Sequence, residues 1–230
     1  MPLRHFSRLP VCGACLSAVP TLDSPGCRQC GKSWPEAESS ADGRCLQCQT
    51  DPPAYTAAFS AAAYRDQARE LILLLKFQGV TSAAGYWAHR LTKVAGQLPI
   101  SPDLIVPVPL ARRRQQERGY NQSAEIARRL ARGLGCRMEA RGLRRVRETA
   151  PQAGLSILDR RKNVRRAFAA DPARVAGRAV LLLDDVLTTG ATAAAAALAL
   201  RQAGAREIVL VTACRADLVQ SMSPHNEVAA

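Results

Sequence analysis

Three short stretches of the chain are apolar without alternation: 104–108 (LIVPV), 180–183 (VLLL) and 208–211 (IVLV). Continuous apolar runs of this length mark strands buried on both faces, as in a parallel sheet covered by helices. The looser alternation of YTAAFSAAAY at 55–64 reads as one more strand. Between these runs the period becomes helical. Leu71, Ile72 and Leu75 share one side of Asp66–Phe77, with Gly79 just past the end. Ala124, Ala127, Leu130, Ala131 and Leu134 form a second stripe behind a cap at Asn121 or Ser123, with Arg128, Arg129 and Arg132 opposite. Ala191–Ala203 is a third helix, stopped by Gly204. Strand, helix, strand in this order predicts an α/β fold, a parallel sheet flanked by helices.

The first 52 residues break this pattern. They are rich in Cys, Pro, Gly and Ser and carry no periodic apolar stripe, so they cannot bury a core of their own. Asp51-Pro52-Pro53 closes the segment as a turn. The expected organisation is a small module over 1–52, an α/β domain over 53–218 and a frayed tail over 219–230. Six of the eight cysteines form Cys-x-x-Cys pairs: Cys12/Cys15, Cys27/Cys30 and Cys45/Cys48. A metal would supply the missing folding energy. The second and third pairs are separated by 14 residues, near zinc-ribbon spacing, and the first and second by 11. Cys27, Cys30, Cys45 and Cys48 are therefore the expected Zn²⁺ ligands, with Gly31 allowing a tight turn after the first knuckle. Cys136 and Cys214 read as core residues, and His5, His89 and His225 are scattered.

The 180–183 run ends in chemistry. VLLLDDVLTTGAT places Asp184 and Asp185 where ligands of open parallel sheets sit, beyond a strand's carboxyl end. Two adjacent buried acids repel and need a compensating partner. Thr188, Thr189, Gly190, Ala191 and Thr192 then lead into a helix. Its first N–H groups, its partial positive charge and the threonine hydroxyls make a phosphate cradle. The carboxylates beside it suit ribose hydroxyls, a divalent metal, or both. Together they describe a site for a ribose 5-phosphate. A helix cap alone needs one acceptor, not two acids and three threonines. The chain has neither a Gly-x-x-x-x-Gly-Lys-Ser/Thr loop nor a Gly-x-Gly-x-x-Gly turn after a strand, so nucleoside-triphosphatase and dinucleotide folds are unsupported.

Composition adds partners. The 230 residues carry a net charge of +13, and twelve arginines against three glutamates between Arg112 and Arg147 supply +9 of it. Such a run is either a solvated basic face or an anion site for nucleic acid or a phosphorylated small molecule. Few aromatics interleave with the arginines, so stacking platforms are scarce. No apolar run reaches membrane-spanning length, and the first residues lack the apolar core of a secretory signal, which leads to an expectation of a cytoplasmic protein.

VLLLDDVLTTGAT resembles the phosphoribosyl-pyrophosphate (PRPP) motif of type I phosphoribosyltransferases. LLLKF (73–77), IVPVPL (105–110), RGYNQSAEIA (118–127), the Arg144/Arg147/Thr149/Gln152 spacing in RRVRETAPQ, and RKNVRRAF (161–168) are similar to the ComF family of competence-associated proteins. The resemblance implies a type I phosphoribosyltransferase-like domain behind a four-cysteine zinc ribbon. It implies that Asp184 and Asp185 are the catalytic acids and hold the ribose hydroxyls, directly or through Mg²⁺. It gives Thr188, Thr189, Gly190, Ala191 and Thr192 the 5-phosphate, and Arg112, Arg144 and Arg147 the pyrophosphate. Arg118-Gly-Tyr-Asn-Gln122 would form a wall of the same cleft. Family members often carry two ribbons, which here leaves Cys12/Cys15 without partners. Two functions follow: a PRPP-dependent transferase of unnamed acceptor associated with DNA uptake in natural transformation, or a non-catalytic competence factor. The second would keep the PRPP site while binding single-stranded DNA and DNA-uptake or recombination proteins.

Overall fold

A computed structural model describes residues 9–22, 26–33, 41–148, 159 and 163–216. The expected tail 219–230, Thr149, Gln152, His5 and His225 lie outside them. In chain order the elements are α1 (Gly13–Ser17), α2 (Leu46–Thr50), β1 (Ala57–Ala63), α3 (Asp66–Phe77), α4 (Ala83–Ala95), β2 (Leu104–Pro107), α5 (Arg112–Arg118) and α6 (Gln122–Leu134). There follow β3 (Arg137–Met138), β4 (Leu143–Arg145), β5 (Phe168–Ala170), α7 (Pro172–Val175), β6 (Ala179–Leu187), α8 (Ala191–Gln202) and β7 (Glu207–Arg215).

Five strands form one sheet in the order β1-β7-β6-β2-β3, and every pairing in it is parallel. Strand side chains alternate between faces, and each face has its own helices. Ile105, Leu181, Leu183, Val209 and Val211 pack with Leu71, Ile72 and Leu75 of α3, Trp87 and Leu91 of α4, and Ile126 and Leu130 of α6. Leu104, Val106, Val180, Leu182 and Leu210 pack with Ala193, Ala196, Ala197 and Leu200 of α8. The unalternating apolar runs are thus explained by a sheet buried on both sides. Helix α4 has no counterpart in the sequence reading. Ala83, Ala84 and Ala88 provide much of its buried side, so its stripe is a row of small residues around Trp87.

The strand with the two acids is longer than the apolar run suggests. Strand β6 pairs with β7 as far as Leu187, opposite Arg215. On its other side the ladder with β2 ends at Leu183, opposite Pro107. The Val108 N–H makes the last bond across, to the Leu183 carbonyl at 2.8 Å. Beyond it β6 has no paired residue of β2 beside it, and there Asp184 and Asp185 emerge.

The two cysteine regions lie in different surroundings. Leu9, Leu16 and Val19 join the core of α3 and α4, and the Tyr86 hydroxyl donates to the Leu16 carbonyl at 3.0 Å. Cys30 packs instead on the α8 side. Among the described residues no helix is long and apolar enough to cross a membrane.

Candidate functional site

The segment RGYNQS (118–123) organises the acid pair. Gly119, at φ 75°, ends α5 in the left-handed conformation that glycine adopts without strain. The Tyr120 hydroxyl donates to the Leu75 carbonyl, fixing the turn on the end of α3. Asn121 caps α6 by accepting from the Ser123 and Ala124 amides, while its own amide donates to the Val108 carbonyl at 2.9 Å. The start of α6 is thereby locked to the loop after β2. The next two residues reach the acids. Gln122 donates to Asp185 Oδ2, and the Ser123 hydroxyl donates to Asp184 Oδ1 at 3.2 Å.

Asp185 is 5% exposed. Its other oxygen, Oδ1, is 3.0 Å from Lys76 Nζ at the end of α3. Arg118 extends the network, donating to Gln122 Oε1 at 2.9 Å and lying over the Phe77 ring at 4.8 Å. Asp184 Oδ1 also accepts from the Asp185 amide at 2.8 Å. Asp184 Oδ2 has no partner among the described residues. One acid is fully braced, and the other keeps an oxygen for a ligand. Hard carboxylate oxygens of this kind fit Mg²⁺.

Burial, and then the neighbouring Asp185 charge, push the Asp184 carboxyl up to about 7, against the opposing pull of the Asp185 amide, Lys76 and Ser123. From about pH 4, the ordinary range, up to about 7 the folded chain keeps a proton that the unfolded chain has released. Stability therefore falls as pH rises through that window when no divalent cation is present. Asp184→Asn is expected to flatten this part of the profile, read from urea midpoints at several pH values; an unchanged slope would contradict it.

Thr188, Thr189 and Gly190 follow β6. Gly190 is the N-cap of α8 at φ 77°, a conformation strained for any residue with a Cβ. The Thr189 hydroxyl accepts from the Ala191 amide at 3.4 Å. Thr192 lies in the first turn of α8. The aspartates, the loop and the helix start are consecutive, so the structure brings these predicted residues together at one strand end.

The arginines divide. Arg112 opens α5, is exposed, and its backbone N–H donates to Glu148 Oε1 at 2.9 Å. Arg144 is exposed on β4, and its side chain does not join the acids. Its neighbour Arg145, on the opposite face of the strand, is half-buried over the Phe168 ring at 5.4 Å. Burial lowers the Arg145 pKa, and the carboxylates of Glu148 and Asp184 oppose that shift. Arg147 donates to the carbonyls of Asn163 and Arg165, both at 2.7 Å.

The second site is the cysteine cluster. The Sγ atoms of Cys27, Cys30, Cys45 and Cys48 all lie within 4.8 Å of one another. Cys30 and Cys45 are 3.8 Å apart, the edge of a tetrahedron with metal–sulfur bonds of about 2.3 Å. Amides of Cys30 and Cys45 point at Cys27 Sγ at 3.4 and 3.3 Å. The Gly31 amide closes the first knuckle on the Cys27 carbonyl at 2.7 Å, with φ 70° at Gly31. A hydrogen bond from Cys48 favours the Cys30 thiolate and lowers its pKa to about 5; the same contact raises Cys48. The four thiols could hold a metal such as zinc. Cys12 and Cys15 are exposed and stand outside this cluster.

Lys76 and Ser123 were missing from the sequence-derived site. Lys76 reads there as an ordinary basic residue in the last turn of a helix. The RGYNQ run was legible as a wall of the cleft, but its direct bonds to the acids were not.

A parallel sheet with paired acids and a Thr-Thr-Gly helix start at the carboxyl end of its middle strand is a phosphoribosyltransferase arrangement, and the phosphoribosyl transferase domain family matches residues 120–224. The relatives narrow this. DNA utilization protein YhgH of Salmonella typhi is 36% identical over 222 residues, 94% of each chain. Competence protein F of Haemophilus influenzae is 32% identical over 212 residues, covering 89% of this chain and 90% of the other. Competence protein ComFC of Bacillus subtilis is 24% identical over 204 residues, covering 84% and 79%. The chain belongs to the ComF family, which joins these proteins.

Proposed function

We propose that the chain binds PRPP with Mg²⁺ at the end of β6 and serves the handling of DNA as a ComF-type phosphoribosyltransferase-family protein. The observation that carries this reading is the braced acid pair with Asp184 Oδ2 left uncommitted, directly before the start of α8. Asp184 and Asp185 would hold the ribose hydroxyls, and Thr188, Thr189, Gly190, Ala191 and Thr192 the 5-phosphate. Arg112 and Arg144 are proposed for pyrophosphate, and the half-buried Arg145 joins them because its charge reaches Asp184. Mg²⁺, when bound, would neutralise charge on the pyrophosphate.

The reaction open to such a site is displacement of pyrophosphate at the anomeric carbon. Positive charge would develop on the sugar, which Asp184 and Asp185 would hold, and negative charge on the leaving group, which the proposed arginines would meet. The names of the relatives point to DNA, and exposed Arg112, Arg113, Arg114, Arg128 and Arg132 suit a phosphate backbone. Single-stranded DNA and proteins of DNA uptake or recombination are the proposed partners, with Zn²⁺ as the structural metal at the cysteines.

Pyrophosphate release from PRPP, screened with free bases, nucleic acid and amines as acceptors, tests the catalytic form. Release with one acceptor class is the expected result. PRPP binding with no release for any acceptor would replace it by the non-catalytic binding form.

A further inference from the structure

A cleft of about 830 Å³ opens off the Thr188–Gly190 loop on a side that Asp184 and Asp185 do not line. It lies between the cysteine cluster and α8. A terminal 5-phosphate would be held by the loop alone and would leave this volume unused. The volume falls in the range of small-molecule pockets, about 300–1,000 Å³.

Its walls have two characters. Ala194 and Leu198 of α8 give an apolar floor, and Leu198 is a large apolar side chain left 50% exposed. Lys32 and Arg165 line it as cations, with Asp51 as an acid on the same wall. Tyr55 adds a separate observation. It is 3% exposed, its hydroxyl has no hydrogen-bond partner among the described residues, and that oxygen is 3.7 Å from where a Cβ on Gly190 would be. The ring is buried while its hydroxyl, beside the phosphate loop, remains free to donate to a ligand in the cleft. The position of Tyr55 is fixed from the metal side. Gln29, between two of the cysteines, donates to the Pro53 and Tyr55 carbonyls at 3.2 and 3.1 Å.

We infer that the phosphate bound at Thr188–Gly190 is a substituted one: a ribose 5-phosphate joined through its phosphate to an aromatic nucleoside, either directly as a diester or through a second phosphate, with Tyr55 donating to the phosphate and the nucleoside lying on Ala194 and Leu198. The inference rests on the ribose-phosphate reading of the strand-end site. Lys32 and Arg165 suit a second phosphate beyond the first. The same chemistry occurs in a diphosphate-bridged small molecule and at the 3′ end of a ribonucleotide strand.

The test is calorimetry on the full chain with Mg²⁺ and four probes: PRPP, ribose 5-phosphate, ADP-ribose and the dinucleoside monophosphate ApA. ADP-ribose or ApA is expected to bind at least about tenfold more tightly than ribose 5-phosphate, a difference of about 1.4 kcal/mol. Preference for ADP-ribose identifies the small-molecule source, and preference for ApA the strand end. Ala194→Trp, which fills the cleft, should erase the difference and leave ribose 5-phosphate unchanged. Leu198→Glu, which places a charge on the half-exposed apolar wall that only the nucleoside would touch, should weaken the tighter probe and keeps the test valid if Ala194→Trp fails to fold. Equal affinity of all substituted and unsubstituted probes overturns the inference, as does an unaltered preference in both variants. PRPP separates the two readings. PRPP binding without a preference leaves the strand-end site standing and removes the cleft ligand, whereas tight ADP-ribose binding without PRPP binding does the reverse.

Discussion

Cys48→Ser will strip the metal from the cysteine cluster and unfold the segment around it. Cys48 is 1% exposed, and the local apolar cluster consists of Cys27, Cys45 and Cys48 with Cys30 packed against them. With so little apolar surface to bury, the module would depend on a metal held by these thiols. Zinc-ribbon-sized sites contribute about 10–16 kcal/mol of apparent binding energy at neutral pH, and in such modules this is folding energy. Serine retains the shape but not the thiolate. The damage should spread, because Arg215 at the end of β7 donates to the Cys30 carbonyl at 2.7 Å and Gln29 holds the Pro53 and Tyr55 backbone. Zinc content and limited proteolysis measure it. Substoichiometric metal and new cleavage within residues 26–50 are expected, while Cys12→Ser should keep both at wild-type levels. A fully metallated, protease-resistant Cys48→Ser would contradict the assignment.

Lys76→Met should cost about 3 kcal/mol of stability and abolish PRPP binding. The Lys76 and Asp185 side chains are only 18% and 7% exposed. Removing one member of a buried ion pair leaves the other charge uncompensated, which typically costs about 3–5 kcal/mol. The lower end applies because Gln122 still donates to Asp185 and the methionine stem keeps the packing. Replacing both charges, Lys76→Met with Asp185→Leu, should recover most of the stability, since buried pairs are often neutral against apolar substitutes. PRPP binding should stay lost in the double variant. Urea unfolding and calorimetry separate the two effects. Stability unchanged by Lys76→Met would show that the ion pair does not brace the site.

The parts of this structure legible in the sequence are those set by local pattern. Val180–Leu183 and Ile208–Val211 are apolar on every residue because both faces of the sheet are covered. Asp66–Phe77 and Ala191–Gln202 carry their ends in Gly79 and Gly204, both in the left-handed conformation. Asp184 and Asp185 stood out because charge at a buried strand end is costly. What stayed hidden depends on tertiary placement. Lys76 acquires its meaning from Asp185, which only the docking of α3 on the sheet brings within 3.0 Å. Arg144 and Arg145 are indistinguishable as neighbours in an arginine-rich run. The pairing of Arg145 with Phe168 across β4 and β5 decides which one faces inward. Tyr55 looked like the edge of a strand, and its place under Gly190 follows from the cysteine module docking beside α8.

The central claim is a ribose-phosphate site built on the acid pair and the loop after it. Its most direct measurement is calorimetric titration with PRPP and Mg²⁺ of the wild-type chain, of Asp184→Asn plus Asp185→Asn, and of Thr188→Val plus Thr189→Val, each first shown to retain a cooperative thermal transition. The account predicts binding by the wild type and its loss in both double variants. Equal affinity in all three proteins would contradict it.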